Sequence, residues 1–123
     1  MAPGDTVVVN LSSGPERPEQ VTVAFVVADS AVSSGKRVAL FLTSEAVRLA
    51  LEGTAEGIAV DGYQPLGKLF RQVAEGGGEL FCCPPCFRSR GLDEDDLASN
   101  AKVSGAMSLF EWVGPEGAMV FSF

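Results

Sequence analysis

The sequence predicts an α/β protein, a three-layer α/β/α sandwich around a mainly parallel sheet of four to five strands. Short runs of apolar and β-branched residues recur along the 123 residues, and segments with apolar residues at helical spacing separate them. Alternating strands and helices are typical of this architecture. Connections long enough to hold a helix imply parallel strands with right-handed crossovers. The length fits one domain over residues 1–123.

The first half of the chain contains two predicted strands and two predicted helices. Residues 5–11 form a β-branched run with little polar alternation, which predicts a strand buried on both faces. The next helix begins at Pro18 or at the capping box just before it. Its apolar residues follow helical spacing: Val21, Ala24, Phe25, Ala28 and Val32. Residues 38–42 are the second strand, and a short helix follows over about 43–51.

The third strand is predicted just before the cysteines. Residues 54–64 have no clear period and are expected to form a loop with at most one helical turn. Pro65 begins a helix with an apolar stripe, and the glycines at 76–78 end it. Residues 79–83 then form the third strand, with apolar residues and two cysteines at its end.

The last segment of the chain predicts two helices and a strand. Asp93 begins the first helix, and the acidic residues after it suit the positive end of a helix dipole without any metal. Residues 106–113 carry the second helical stripe, and residues 119–123 are the final strand.

Composition excludes several classes of function. The chain has nine Lys and Arg against sixteen Asp and Glu, a net charge of −7, so we expect no nucleic-acid partner. It has no histidine, which excludes Ser-His-Asp and Cys-His catalysis and every His-ligated metal site. The first residues show no signal-peptide pattern, and no apolar run reaches the length of a membrane span. We therefore expect a cytoplasmic protein with reduced thiols and no membrane span.

All three cysteines lie within residues 82–86, at a predicted junction between a strand and a helix. Proline disfavours helical backbone in the residue before it, so Cys83 is expected to cap the helix that Pro84 begins. The positive end of a helix favours a thiolate, which predicts a pKa for Cys83 below that of a free thiol. Cys86 follows about one turn later, and Cys82 should point to the other side of the strand as a small buried hydrophobe.

Other candidate site residues come from the carboxyl edge of the sheet. Ligands bind at this edge in open parallel sheets, and the predicted strands bring Asn10, Thr43 and the Cys83–Cys86 segment to it. We assign Cys83 and Cys86 as catalytic candidates, and Asn10 and Thr43 as substrate-binding candidates. Arg90, which lies close to the cysteines in sequence, is a further binding candidate that could stabilise an anion.

Structural packing and zinc binding are two alternatives to a catalytic role for the cysteines. Free cysteines are often simply packed in a core, although the clustering at a strand–helix junction argues against this for all three. Zinc is the second alternative, since thiolates bind it. Three thiols this close give poor tetrahedral geometry and the chain has no histidine to complete the site, so no metal and no cofactor is expected.

The order of motifs resembles that of the DsrE/DsrF-like sulfur-relay proteins, which include TusD, over nearly the whole chain. The matching segments are Val9-Asn10-Leu11 with Gly14-Pro15-Glu16, Phe41-Leu42-Thr43 before a helix, the cysteines running to Arg88-Ser89-Arg90-Gly91, Gly105, and the closing strand. The resemblance implies a flavodoxin-like topology, assembly as trimers or hexamers, and sulfur carried as a cysteine persulfide. It matches Cys83 to the family's carrier cysteine, with Arg90-Gly91 as its following pair. Cys86 matches the second cysteine of relatives with Cys-x-x-Cys.

The resemblance implies a sulfur carrier, or sulfurtransferase, whose partners are persulfide donor and acceptor proteins. The continuation Pro84-Pro85-Cys86 departs from the TusD-like pattern, because a second thiol could attack a Cys83 persulfide and expel sulfide. A thiol-disulfide oxidoreductase that uses Cys83 and Cys86 therefore stays open. So does a non-enzymatic binding subunit in which the thiols are incidental. The apolar segments 119–123 and 47–51 are expected to support assembly into a homo-oligomer.

Overall fold

A computed structural model describes residues 3–123. The predicted domain begins at Met1, and the N-terminal segment examined for a signal peptide begins there too; Met1 and Ala2 lie outside the described residues. Five parallel strands form one sheet with the order β4-β3-β2-β1-β5. The strands are β1 (Thr6–Leu11), β2 (Arg37–Leu42), β3 (Glu79–Cys82), β4 (Ala101–Val103) and β5 (Met119–Ser122). The predicted α/β class with a parallel sheet of four to five strands is confirmed. The strand order differs from the flavodoxin-like order 2-1-3-4-5, because β1 pairs with β2 and β5 rather than with β2 and β3.

Within residues 3–123, four α-helices cover the two faces of this sheet unequally. They are α1 (Pro18–Ser33), α2 (Leu66–Glu75), α3 (Pro84–Ser89) and α4 (Ala106–Val113). Residues of α1, α2 and α3 pack into the larger core cluster, together with a 3-10 helix over Ser44–Ala50. The smaller cluster on the opposite face contains residues of α4. The sheet is therefore thickly covered on one face and thinly on the other.

The alternation of strand side chains divides the core between these faces. In β1, Val7, Val9 and Leu11 belong to the larger cluster and Val8 to the smaller one. In β3, Leu80 and Cys82 face the larger cluster, while Phe81 faces α4. Successive side chains of a strand point to opposite faces, so a continuously apolar run buries both. None of the helices among residues 3–123 is both long and apolar enough to cross a membrane.

Three local predictions differ from the structure. The segment after Thr43 is a 3-10 helix rather than an α-helix, and it ends where Leu51 forms an antiparallel bridge with Leu97. Asp93 accepts a hydrogen bond from the Asp95 N–H at 2.8 Å, but the turn it caps is a single 3-10 turn over Glu94–Asp96. Strand β4 was not predicted, because its three residues are too short to show a pattern and its central residue is lysine.

Hydrogen bonds at the carboxyl ends of the strands align the residues that follow them. The N–H of Thr43 donates to the carbonyl of Leu11 at 3.1 Å, and the N–H of Cys83 donates to that of Leu42 at 2.9 Å. Within the sheet, Leu11 pairs with Leu42, and Leu42 with Cys82. The first residues after β2 and β3 therefore lie side by side at one edge, as parallel pairing requires.

Candidate functional site

Cys82 is the last residue of β3 and lies wholly within the larger core cluster. Its exposed fraction is 0%, and burial, helped by the neighbouring Cys83, raises its pKa to about 12. A thiol with such a pKa is almost entirely protonated at neutral pH and is a poor nucleophile. The interpretation of Cys82 as a small buried hydrophobe is confirmed.

Cys83 and Cys86 form a thiol pair at the start of α3. Cys83 is the N-cap, with φ −51° and ψ 119°, which is the extended conformation that a following proline favours. Pro84 and Pro85 occupy the first helical turn, where a missing N–H leaves no hydrogen bond unmade. This turn brings the Cys86 Sγ to 3.0 Å from the Cys83 Sγ, and both residues are half-buried.

The predicted acidity of Cys83 is wrong. Burial raises its pKa, and the hydrogen bond with Cys86 raises it further, against smaller opposing effects of the Cys86 N–H and Arg90. An N-cap side chain normally accepts from the second or third N–H of its helix. Pro85 has no N–H at the second position, and Cys83 makes no capping hydrogen bond. The prolines thus remove the first two N–H donors that the prediction assumed, and the third, the Cys86 N–H, has a smaller effect than burial and the hydrogen bond with the Cys86 thiol.

Cys86 is the more acidic thiol of the pair. Burial acts to raise its pKa, but hydrogen bonds from the Cys83 thiol and the Ser44 N–H, with the charge of Arg90, together lower it. When both thiols are protonated, the Cys86 thiol donates to the Cys83 sulfur. These pKa directions describe the ionised pair, in which the proton stays on Cys83 and the Cys83 thiol donates to the Cys86 thiolate. The thiolate is the nucleophile in thiol chemistry, so Cys86 is the thiol that the surroundings activate.

Arg90 is held beside Cys86 by a small network of charges. Its Nε donates to Glu45 Oε1 at 2.7 Å, and its Nη1 donates to the Cys86 carbonyl at 3.0 Å. Glu45 also accepts from Arg48 Nε at 2.7 Å, and these two arginines lower its pKa. Gly91 has φ +66°, a left-handed conformation that ends α3 and favours glycine. The Arg90-Gly91 pair therefore has a geometric role: it ends the helix with the guanidinium directed toward its thiol-bearing turn.

The segment opposite the thiols is held in an unusual backbone conformation. Ser44 has φ +51°, and it is the only residue other than glycine with positive φ among residues 3–123. Such conformations cost energy and cluster at functional sites, where the surrounding structure fixes them. Here the conformation accompanies a Ser44 N–H that stabilises the Cys86 thiolate.

Gly14 fixes the position of the neighbouring Glu45. A Cβ added to Gly14 would lie 2.3 Å from the Glu45 carbonyl oxygen, which is far inside contact distance. The loop between β1 and α1 therefore packs directly against the residue that holds Arg90. Gly14 belongs to a motif singled out in the sequence, whereas Glu45 carried no sequence signal, because its role depends on a contact with Arg90, 45 residues away.

The predicted binding residues lie at different distances from the thiols. Thr43 follows β2 directly beside Cys83 at the strand ends, and its carbonyl accepts from the Ala46 N–H. Asn10 is in β1, separated from β3 by β2, and it lines a cleft of about 420 Å³ between the sheet and α4. Arg90 is the predicted binding residue whose charge acts on both thiols.

The described part of the chain contains no preformed metal site. Residues 3–123 contain no group of three or more Cys, Asp or Glu side chains arranged to hold an ion. The thiol pair has Arg90 and a backbone N–H as neighbours, which suit an anionic sulfur species rather than a cation.

Comparisons with known proteins place the chain in one family. It is 29% identical over 117 residues to the uncharacterised protein MK0008 of Methanopyrus kandleri, covering 95% of this chain and 93% of that protein. The crystal structure of the YchN protein from E. coli matches with a TM-score of 0.77 and 20% identity, covering 97% and 99% of the two chains. MTH1491 of Methanobacterium thermoautotrophicum, a protein of unknown function, matches with a TM-score of 0.67 and 17% identity over 96% and 98%. A family model matches residues 5–123, and the chain belongs to the DsrE/DsrF-like family.

Proposed function

We propose that this protein is a sulfur carrier, a sulfurtransferase that holds sulfane sulfur as a persulfide on the Cys83–Cys86 pair. The observation that carries the proposal is the pair itself: two half-buried thiols 3.0 Å apart, with Arg90 and the Ser44 N–H favouring the thiolate of Cys86. The DsrE/DsrF-like family is known for sulfur relay, which supports the same chemistry.

The proposed reaction is an exchange between sulfur nucleophiles. A thiolate of the pair attacks the outer sulfur of a donor persulfide, a new S–S bond forms, and the donor leaves as a thiolate. The carrier then holds Cys–S–SH until an acceptor thiolate attacks the outer sulfur in turn. Arg90 supports the negative charge on sulfur in both steps, because its guanidinium lies beside the thiol-bearing turn. Donor and acceptor are proteins with reactive cysteines, and no cofactor is required.

Sulfur loading tests the proposal directly. Protein incubated with a cysteine desulfurase and cysteine, without reductant, should take up sulfur. The sulfur is detected as added mass on the tryptic peptide of residues 72–88, which contains all three cysteines, or as released sulfide. The double variant Cys83→Ser/Cys86→Ser should not load. Cys82→Ala, with the pair intact, is the matched control and should behave like wild type. The proposal fails if wild type neither gains sulfur nor releases it as sulfide, or if the folded double variant loads equally well.

A thiol-disulfide oxidoreductase is the second candidate, and the separation of 3.0 Å between the sulfurs favours it. A disulfide needs the sulfurs at about 2.05 Å, so a small movement would close the bond. Titration against glutathione redox buffers distinguishes the two functions. Reversible Cys83–Cys86 disulfide exchange in a protein that takes up no sulfur would replace the carrier function by the oxidoreductase.

We also propose a homo-oligomer, either a trimer or a hexamer. Exposed large apolar side chains concentrate on α4 and on the edge strand β5, which we call the α4–β5 patch: Met107, Phe110, Met119, Val120 and Phe121. Phe110 is 70% exposed and Val120 62% exposed, and clusters of this kind mark interaction sites. The expected contribution of segment 47–51 is wrong, since Val47, Leu49 and Ala50 are buried in the core.

Light scattering after gel filtration tests this assembly. Wild type should elute as a trimer or hexamer, and Phe110→Ser/Val120→Ser should reduce the mass toward that of one chain. Tyr63→Ser alters an exposed aromatic residue of the loop before α2 and serves as the control. A wild-type monomer at all micromolar concentrations would contradict the proposal.

The cytoplasm is the compartment we propose for this function. The three cysteines are free, and thiols persist in reduced form where glutathione and thioredoxin maintain them. Recovery of the protein in the cytoplasmic fraction of its cells would support this location, and recovery in the secreted or membrane fraction would oppose it.

A further inference from the structure

The structure gives the two thiols of the pair unequal surroundings, and this inequality carries a further inference that rests on the proposed sulfur-carrier function. We propose that Cys86 receives the sulfane sulfur and that Cys83 is a resolving thiol, which releases uncollected sulfur as sulfide. The assignment reverses the roles expected from the sequence, where Cys83 was the carrier.

The contacts around Cys86 support its role as the receiving thiol. Arg90 donates to the Cys86 carbonyl at 3.0 Å, and the Ser44 N–H approaches the Cys86 sulfur from the opposite segment. Glu45, the residue after Ser44, forms salt bridges with both Arg90 and Arg48, and these link the Ser44 segment to Arg90. A persulfide anion on Cys86 would carry its charge on the outer sulfur, one S–S bond of about 2.05 Å beyond the cysteine sulfur, so Arg90 and the Ser44 N–H would still lie close to that charge.

The position of Cys83 supports its role as the resolving thiol. Its sulfur lies 3.0 Å from the Cys86 sulfur, which is the inner sulfur of a Cys86 persulfide. The N-cap position fixes this geometry, because the backbone of Cys83 is hydrogen-bonded to β2 and its carbonyl accepts from the Phe87 N–H. No movement of a helix or a strand is needed to bring the two sulfurs together.

The resolving step balances as an exchange of one S–S bond for another. Cys83–SH and Cys86–S–SH give Cys83–S–S–Cys86 and H₂S: the new bond joins the cysteine sulfurs, and the bond to the outer sulfur breaks. The proton of the Cys83 thiol leaves with the sulfide. The outer sulfur is reduced by two electrons, and the cysteine pair is left as a disulfide. A dithiol reductant then restores the pair for another cycle.

This step would limit the time for which the protein holds its cargo. An acceptor that binds promptly takes the outer sulfur, and Cys83 stays reduced. If no acceptor arrives, the sulfur leaves as sulfide and the site closes as a disulfide, which cannot load again until it is reduced. The oxidation state of the pair would thus report whether sulfur had been collected.

The experiment compares wild type with Cys83→Ser and Cys86→Ser under desulfurase and limiting cysteine, without reductant. Sulfide is trapped with a bimane reagent, and intact mass and fragmentation locate bound sulfur and disulfides. Wild type should release one sulfide per chain and end as the Cys83–Cys86 disulfide. Cys83→Ser should hold a persulfide on Cys86 that lives at least about a hundredfold longer, because a neighbouring thiol acts at millimolar effective concentration against micromolar protein. Cys86→Ser should load slowly.

The outcomes separate the inference from the function on which it rests. If wild type and Cys83→Ser hold persulfide for equal times, the resolving role is wrong and the carrier function stands. If Cys86→Ser loads as fast as wild type and Cys83→Ser does not load, the roles of the thiols are reversed and the inference is overturned. If no variant takes up sulfur and wild type releases no sulfide, both the inference and the proposed function fail. Near-UV circular dichroism establishes that each variant is folded.

Discussion

Alkaline pH provides a quantitative test of the burial of Cys82. The thiol has an ordinary pKa of 9.0 and a folded-state pKa of about 12, and burial is the main cause of the difference. Between these values the unfolded chain loses the Cys82 proton while the folded chain keeps it. Stability therefore decreases as pH rises through this window, and the thiol has no effect on stability well below pH 9.

The size of this loss follows from the two pKa values. Each pH unit inside the window removes ~1.4 kcal/mol from the free energy of unfolding. Between about pH 8 and about pH 10.5, the Cys82 thiol should therefore cost ~2 kcal/mol. Cys82→Ala removes this titration. It also lowers stability at all pH values by about 1 kcal/mol or more, since it deletes a buried atom.

Urea unfolding of wild type and Cys82→Ala at the two pH values measures the effect. All other titratable groups are the same in the two proteins, so the difference between their pH-dependent losses of stability isolates Cys82. Wild type should lose ~2 kcal/mol more than the variant. If both lose the same amount, the Cys82 thiol ionises as easily in the folded chain as in the unfolded one, and its assignment as an inert core residue is refuted.

The remaining predictions concern the support of the site. Arg90→Gln removes the charge beside Cys86, so it should raise the pKa of Cys86 and shift its iodoacetamide alkylation to higher pH. Arg88→Gln, on the exposed side of the same helix, is the matched control and should leave the profile unchanged; equal shifts would contradict the role of Arg90. Gly14→Ala should lower the free energy of unfolding by about 1–3 kcal/mol and slow sulfur loading, because its Cβ overlaps the segment that holds Arg90. Gly57→Ala is the matched control: its Cβ meets nothing within 4 Å, so it should change stability by less than about 0.5 kcal/mol. Equal losses of stability in Gly14→Ala and Gly57→Ala would contradict the overlap between Gly14 and Glu45. Elemental analysis of untagged protein should find no stoichiometric zinc, and one zinc per chain would make the cysteines structural.

The sequence was sufficient for the architecture and for the place of the thiols. The apolar run that ends β3 predicted a buried Cys82, and the parallel pairing that helical connections imply placed Cys83 and Thr43 side by side. These features depend on the local hydrophobic pattern and on the geometry of parallel strands, and neither requires knowledge of contacts between distant residues.

The division of roles between the thiols could not be predicted in the same way. It depends on the Ser44 N–H and on the contact of Arg90 with Glu45, and both reach the thiols from a segment distant in the chain. The helix-terminus argument predicted that Cys83 would be the more acidic thiol, and this was wrong. The prolines that begin the helix provide no N–H at its first two positions. Strand β4 was missed because three residues at a sheet edge carry no periodic signal.

The unequal covering of the sheet has a consequence for the order in which parts of the chain open. Phe87 is 1% exposed and anchors α3 in the larger core cluster, whereas α4 rests on the opposite face through Leu109 and Trp112. In a single dissociated chain, amide hydrogen exchange should therefore be faster in α4 than in β3, because regions with few buried apolar contacts open at lower free energy. Rearrangement of the α4 face would then leave the thiol pair in place.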